Sequence, residues 1–252
     1  MHIEGLPLLS DNYAWVLTPQ SGNGCAVVDP SEAGPVIEFL ESRDLRLEVI
    51  LATHHHWDHT GGIAGLLEFF PEAKVFASEI DAKHFAGTTD FIGDGDVFEL
   101  FAEEVHCLHV PGHTLGAVAF YCPKSKAVFT GDTLFTAGCG RLFEGTPEQL
   151  CHSLLKIREL PEDVLVYCGH EYTQKNLNYA LHVEPENAAV QARLAEVDNQ
   201  RAQGRPTVPA LLKTECETNP FLRSDDGALQ AAKGCSDAVS LFAHLRRGRD
   251  SF

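Results

Sequence analysis

The sequence contains no apolar run near the roughly 18 residues that would suggest a membrane span, and none is expected. Basic residues are scarce. Nineteen Lys+Arg stand against 36 Asp+Glu, a formal net charge of −17. Nucleic-acid phosphates select basic surfaces, so a nucleic-acid partner is not expected. The opening Met1-His2-Ile3-Glu4-Gly5 lacks a basic segment followed by an apolar core. No secretory signal is read there, and the cytoplasm is the expected location. No two of the eight cysteines are spaced C-x-x-C. Cys25, Cys107, Cys122 and Cys168 lie in or beside strand-like runs, where a reduced thiol behaves as a small apolar residue. Internal repeats and low-complexity tracts are also missing. What remains is an ordinary globular composition. Its length of 252 residues suits one large domain, or a medium domain with a small addition. The few cations are unevenly placed: eight Lys+Arg accompany six Asp+Glu after residue 200, against 11 and 30 before it. Arg223, Arg246, Arg247 and Arg249 could form an anion-friendly patch in that tail.

The richest stretch is Thr53-His54-His55-His56-Trp57-Asp58-His59, followed by Thr60-Gly61-Gly62. Imidazole and carboxylate are ligands for zinc and similar divalent ions. Leu47–Ala52 upstream reads as a buried strand, and Ile63–Phe70 downstream suggests a helix. Side chains alternate along an extended chain, so His54 and His56 are expected on one face, and His55 and Trp57 on the other. A turn then brings Asp58 and His59 back toward the pair. Three later segments place a further ligand-type residue beside a glycine, just beyond a β-rich run. They are Pro111-Gly112-His113, Thr130-Gly131-Asp132 and Cys168-Gly169-His170. Glycine permits the sharp turns such strand ends need. Cys139 and Cys168, close to these motifs, are weaker ligand candidates.

The first part of the chain alternates strands with helices. Strands are expected over Tyr13–Leu17, Cys25–Asp29, Val75–Ala77, Cys107–Val110, Ala117–Cys122, Ala127–Thr130 and Val164–Tyr167. Helices are expected over Val36–Ser42 and Pro147–Glu159, the latter with Thr146 as cap and Pro147 at its first position. After His170 the texture turns helical, with helices expected over Thr173–Val183, Glu186–Gln203, Val208–Thr214 and Ser236–Arg247. We therefore expect an α+β chain: an αββα domain over residues 1–172 and a small helical domain over residues 173–252.

The pattern H-x-H-x-D-H, followed by His113, Asp132 and His170, resembles the metallo-β-lactamase superfamily. Asp11-Asn12-Tyr13-Ala14-Trp15, Ala137-Gly138-Cys139-Gly140-Arg141, Gly169-His170-Glu171-Tyr172-Thr173, Asn219-Pro220-Phe221-Leu222-Arg223 and Arg249-Asp250-Ser251-Phe252 are similar to glyoxalase II, over essentially the whole chain. The resemblance implies a metallo-β-lactamase-like sandwich and two divalent ions, zinc ahead of iron or manganese. One ion is then held by His54, His56 and His113. The other is held by Asp58, His59 and His170, with Asp132 as the bridge. It implies hydrolysis of S-D-lactoylglutathione to D-lactate and glutathione by a metal-bound hydroxide that Asp58 helps to orient. The expected partner is a small-molecule glutathione thioester, with the chain acting as a monomer.

The resemblance also implies substrate contacts from Arg141, Phe143, Tyr172, Asn176 and Arg223. The chain departs from the family in two places: Phe143 lacks the hydroxyl of a family tyrosine, and Asp226 stands where some members have a lysine. All seven implied ligands lie at or before His170, so the tail is expected to serve the substrate and not the metal. Rivals sharing the metal motif are a persulfide dioxygenase, a tRNA-processing nuclease, a β-lactamase and a non-catalytic metal-binding protein. The tail motifs and the acidic charge argue against them.

Overall fold

The structure, a computed structural model, describes residues 1–252. By compactness the chain divides into two units, Met1–His109 with Leu115–Gly131, and Val110–Thr114 with Asp132–Phe252.

The first unit carries strands β1 (His2–Leu8), β2 (Asn12–Thr18), β3 (Gly24–Val28), β4 (Arg46–Leu51), β5 (Lys74–Ser78), β6 (Asp90–Ile92), β7 (Val97–Leu100), β8 (Glu103–His109), β9 (Val118–Cys122) and β10 (Ala127–Gly131). Its helices are α1 (Ala33–Glu41), α2 (Trp57–Thr60), α3 (Ile63–Phe69) and α4 (Glu79–Ala82). Strands β1 to β6 form one sheet in chain order. The β1–β2 and β2–β3 pairs are antiparallel, and the pairs from β3 to β6 are parallel. Strands β7 to β10 form a second, antiparallel ladder. Parallel strands are buried on both faces and read as continuous apolar runs, as Gly24–Val28 does. One face of the first sheet packs on α1 and α3: Val36, Leu40, Ile63 and Leu66 meet Cys25, Val27, Ile50 and Val75. Phe76 of β5 stacks on Phe98 of β7 at 4.4 Å, and Phe98 meets Phe120 of β9 edge-on at 6.3 Å, joining the two ladders.

Strand β1 was not anticipated. It pairs on one side only, as the first strand of its sheet, and contains Gly5 and Pro7, residues tolerated at edges. Gly5 admits the Trp15 ring: an added Cβ would lie 2.7 Å from the indole.

The second unit carries the hairpin β11 (Leu134–Phe135) and β12 (Gly138–Cys139), and the antiparallel pair β13 (Leu165–Cys168) and β14 (Ala210–Leu211). Its helices are α5 (Pro147–Arg158), α6 (Thr173–Val183), α7 (Ala188–Ala202), α8 (Leu212–Thr218), α9 (Gly227–Ala232) and α10 (Ala238–Ser251). Helix α5 opens on a capping box between Thr146 and Gln149, which satisfies two otherwise orphaned donors. Asn187 caps α7 through the N–H groups of Ala189 and Val190, so that helix starts two residues later than its periodicity suggests. The helix expected over Val208–Thr214 begins only at Leu212. Pro209 disfavours helical backbone at Val208; Ala210 and Leu211 instead pair with Val166 and Leu165. Helix α10 runs through Gly248, where an added Cβ would lie 2.5 Å from the Tyr179 hydroxyl. That hydroxyl donates to Leu245 O at 2.6 Å. No helix is long and apolar enough to cross a membrane.

Candidate metal centre

In the first unit the donors gather where β4 ends. The side chains of His54 and His56 share a face, with Nε2 of His54 3.1 Å from Nδ1 of His56. Two nitrogens bound tetrahedrally to zinc at about 2.0–2.1 Å lie roughly 3.3 Å apart. This edge therefore fits a small divalent ion. The single turn α2 returns His59, whose ring centroid lies 4.1 Å from that of His54. Asp58 accepts from Asn12 Nδ2 on its backbone oxygen at 2.9 Å and on Oδ2 at 3.3 Å, and its backbone oxygen also accepts from Ser31 Oγ at 2.5 Å.

Asp29, read from the sequence only as the end of a strand and not as a site residue, organises this half. Its Oδ1 accepts from Thr53 N at 2.8 Å, and its Oδ2 accepts from Thr53 Oγ1 at 2.6 Å. Nδ1 of His59 lies 3.0 Å from the same Oδ2. A carboxylate accepts, so His59 carries its proton on Nδ1 and presents a lone pair at Nε2. The Thr53 hydroxyl gives its one hydrogen to Asp29. It therefore accepts from Nδ1 of His54, 3.1 Å away, which leaves Nε2 of His54 as a lone pair as well. Such partners fix the tautomer and aim of metal-binding imidazoles. Asp29 also lies among Asp29, His54 and His59 as a possible three-ligand group, but its oxygens are engaged with these donors and it acts as their orienter. Asp29→Ala is expected to weaken metal binding by about 10–100-fold, measured by competition with a chromogenic chelator. The strand ends at Val28, and Asp29 follows it at φ 53°, a left-handed conformation in which Asp is enriched.

His55 and Trp57 lie elsewhere. His55 packs on His84, with centroids 4.1 Å apart, and Trp57 is 70% exposed.

In the second unit, Nε2 of His113 and Nε2 of His170 lie 3.5 Å and 3.4 Å from the same atom, Oδ2 of Asp132. An imidazole nitrogen and a carboxylate oxygen on one tetrahedral ion are roughly 3.4 Å apart. One oxygen equidistant from two imidazoles suits a ligand shared by two ions. Nδ1 of His113 lies 2.8 Å from Arg141 O, an acceptor only, so its Nε2 is again the lone pair. Tyr172 stacks on the His170 ring at 4.7 Å and 5°, and the exposed Phe143 meets His113 edge-on at 5.2 Å. The cysteine candidates are buried thiols. Burial pushes Cys139 up to about 11 and Cys168 up to about 12. Neither joins a group of three donor residues close enough to hold an ion.

The substrate candidates divide. Asn176 is buried and spends its amide inside the protein: Nδ2 donates to Thr136 O at 3.0 Å, and Oδ1 accepts from Arg249 Nη2 at 3.4 Å. Arg223 is held by Glu184, with Nη1 2.9 and 2.8 Å from its two oxygens, and by Asp226, with Nη2 to Oδ2 at 3.1 Å. Asp226 caps α9, its Oδ1 accepting from Ala228 N and Leu229 N. These carboxylates compensate the Arg223 charge, and Asp226 has a structural task as the cap of α9. Asp226→Lys is expected to lower stability by about 1 kcal/mol through loss of the cap, measured by urea denaturation, with the Michaelis constant unchanged.

A different arginine group is short of anions. Asp250 Oδ1 lies 2.9 Å from Arg246 Nη2 and 3.6 Å from Arg141 Nε. Half-buried Arg249 makes no ion pair of its own. Burial, then the neighbouring Arg246 and Arg141 charges, pull its pKa below the ordinary arginine value.

Residues 9–170 match the family model of the metallo-beta-lactamase superfamily, and residues 171–252 match that for the hydroxyacylglutathione hydrolase C-terminus. Among solved structures, ETHE1 from Myxococcus xanthus aligns with TM-score 0.68 and 22% identity over 99% of this chain and 98% of its own. BLEG-1 B3 metallo-beta-lactamase aligns with TM-score 0.66 and 22% identity over 88% and 99%. These likenesses define the fold: α+β, of the metallo-β-lactamase type, with a helical C-terminal part. Among curated relatives, a hydroxyacylglutathione hydrolase of Synechococcus sp. is 47% identical over 100% of both chains. One of Ruegeria pomeroyi is 45% identical over 100% of this chain and 99% of its own. The chain belongs to the hydroxyacylglutathione hydrolase family, glyoxalase II.

Proposed function

We propose that this chain hydrolyses S-2-hydroxyacylglutathione thioesters, S-D-lactoylglutathione foremost, to the hydroxy acid and glutathione. It acts as a monomer in the cytoplasm. The observation that carries this reading is a complete donor set on a chain alike to hydroxyacylglutathione hydrolases along its whole length. We assign two zinc ions, one to His54, His56 and His113 and one to Asp58, His59 and His170, with Asp132 shared. Divalent ions so held acidify water and polarise a carbonyl oxygen. Asp58, steadied by Asn12 and Ser31, orients the attacking water. The leaving group is a thiolate, which needs little help from an acid, and no general acid is assigned. Residues 1–172 form the catalytic part and residues 173–252 the substrate part.

Arg141 and Arg249 supply the cations for a substrate carboxylate, and Phe143 and Tyr172, which pack on His113 and His170, contact the rest of the substrate. Asn176 aims Arg249 and supports the loop, while Arg223 acts by tying Glu184 to Asp226. Two observations support this division: Arg223 is already paired with carboxylates, whereas Arg249 is a half-buried guanidinium among cations. Arg249→Met is expected to raise the Michaelis constant for lactoylglutathione about tenfold, the scale of one charge-assisted hydrogen bond. Arg223→Met should change it less than twofold. Thioester loss followed at fixed metal content measures both. The function itself is tested by the wild-type protein carrying two zinc ions per chain: it should release glutathione from lactoylglutathione. A fully loaded protein that releases none would overturn the reading.

A further inference from the structure

The residue between the two ligands of the first metal-binding edge is gripped from one neighbouring segment. His55 N donates to Asp81 Oδ2 at 3.0 Å, and His55 Nδ1 lies 3.2 Å from the same oxygen. One carboxylate oxygen therefore bonds the backbone of His55 and lies beside its ring. The other face of that ring is covered by His84, stacked at 4.1 Å and 24°. Asp81 is itself immobilised. It is 1% exposed, its backbone N–H donates to Ser78 Oγ at 3.2 Å, and its backbone oxygen accepts from His84 N at 2.9 Å. Gly116 presses on the carboxylate so closely that an added Cβ would lie 2.2 Å from Oδ1.

We propose that Asp81 and His84 are positioning residues for the metal site: acting through His55, they set the spacing of the His54 and His56 nitrogens. The proposal rests on the reading of His54 and His56 as metal ligands. His55 supplies no metal-binding atom in that reading, yet its backbone joins the two residues that do. A rotation of the His55 peptide would swing both imidazoles away from each other. On the upstream side, Thr53 is fixed by Asp29 and its carbonyl accepts from Val118 N at 2.9 Å. On the downstream side, the His56 carbonyl accepts from His59 N at 2.9 Å and Thr60 Oγ1 at 3.1 Å. His55 lies between these anchors: its carbonyl accepts from Thr60 Oγ1 at 3.2 Å, while Asp81 bonds its N–H and His84 stacks on its ring. Asp81 lies in α4 and His84 in the turn that follows it, where the bond from His84 N to Asp81 O brings the two together. A buried carboxylate that accepts from a metal-binding loop resembles the outer partners whose loss costs metal affinity.

The test measures metal binding. The dissociation constants of zinc and cobalt are determined by chelator competition, with the cobalt visible spectrum as a report of ligand geometry. Melting of the metal-free protein controls for folding. Asp81→Ala should weaken binding by about 10–100-fold and shift the cobalt bands while metal-free melting stays near that of the wild type. His84→Ala should weaken it several-fold, and His84→Phe, which keeps the stacked ring, should restore it. A dissociation constant for Asp81→Ala within twofold of wild type, with an unaltered cobalt spectrum, would overturn the proposal. So would a loss fully matched by lower metal-free stability, or equal losses in His84→Ala and His84→Phe. His56→Ala is the separate control. If it binds zinc as tightly as the wild type, the ligand reading fails first, whatever Asp81→Ala does.

Discussion

Replacing Asp132 by alanine is expected to remove metal from both halves of the site and to lower kcat/KM for lactoylglutathione by at least about 10³-fold. Metal stabilisation of the reacting groups contributes several kcal/mol, at 1.36 kcal/mol per decade of rate. The geometry explains why this residue outweighs a single histidine. Its Oδ2 is within 3.5 Å of Nε2 on both His113 and His170, so one substitution removes the oxygen that both imidazoles face. The neighbouring Gly140 packs so tightly that an added Cβ would lie 2.0 Å from Asp132 O, and the nearby Cys139 is buried. Elemental analysis should show well under one ion per chain in Asp132→Ala against two in the wild type. A variant that keeps two ions would show that Asp132 is not the shared ligand.

The two halves of the site were unequally legible in the sequence. His54, His56, Asp58 and His59 could be read because their geometry is local: a strand end gives the alternation and one turn returns the last two. Asp29 could not, because its partners Thr53 and His59 are 24 and 30 residues away, and nothing local marks an aspartate after a strand as their orienter. The same limit hid the partners of the tail residues. The motif around Arg223 drew attention to a cation, but Glu184, 39 residues earlier, holds that cation. Asp226 looked like a reversed substrate contact and is a helix cap that also pairs with Arg223. In the fold, strong periodicity or a capping residue gave α5 and α6 nearly to the residue. The short β14 was hidden because two residues carry no pattern, and its pairing with β13 is decided by chain more than 40 residues away.

The largest stability effect is expected at Glu215. The ligands' positions suggest that residues 173–252 could be removed without disturbing them. Hydrogen bonding in the second unit argues otherwise. The β11–β12 hairpin lies between Asp132 and Arg141, and Ala137 at its turn has φ 57°. Its backbone groups are bonded by side chains of the tail. Ala137 N donates to Glu215 Oε2 at 2.7 Å, and Asn219 Nδ2 donates to Phe135 O at 3.3 Å and Gly138 O at 3.0 Å. Thr136 O accepts from Asn176 at 3.0 Å, and Cys139 O accepts from Arg246 at 2.9 Å. Unbonded buried backbone groups are costly, so truncation after residue 172 should disorder the segment between Asp132 and Arg141 along with the substrate contacts. Glu215 is fully buried and also pairs with Arg193, itself 9% exposed. Removing one partner of a buried ion pair strands the other, at about 3–5 kcal/mol. Glu215→Ala should therefore lower unfolding stability in urea by that amount. Glu215→Gln, which retains an acceptor for Ala137 N, should lose less. An alanine variant within 1 kcal/mol of the wild type in the same titration (roughly the median for any substitution) would show that the hairpin holds its shape without the tail.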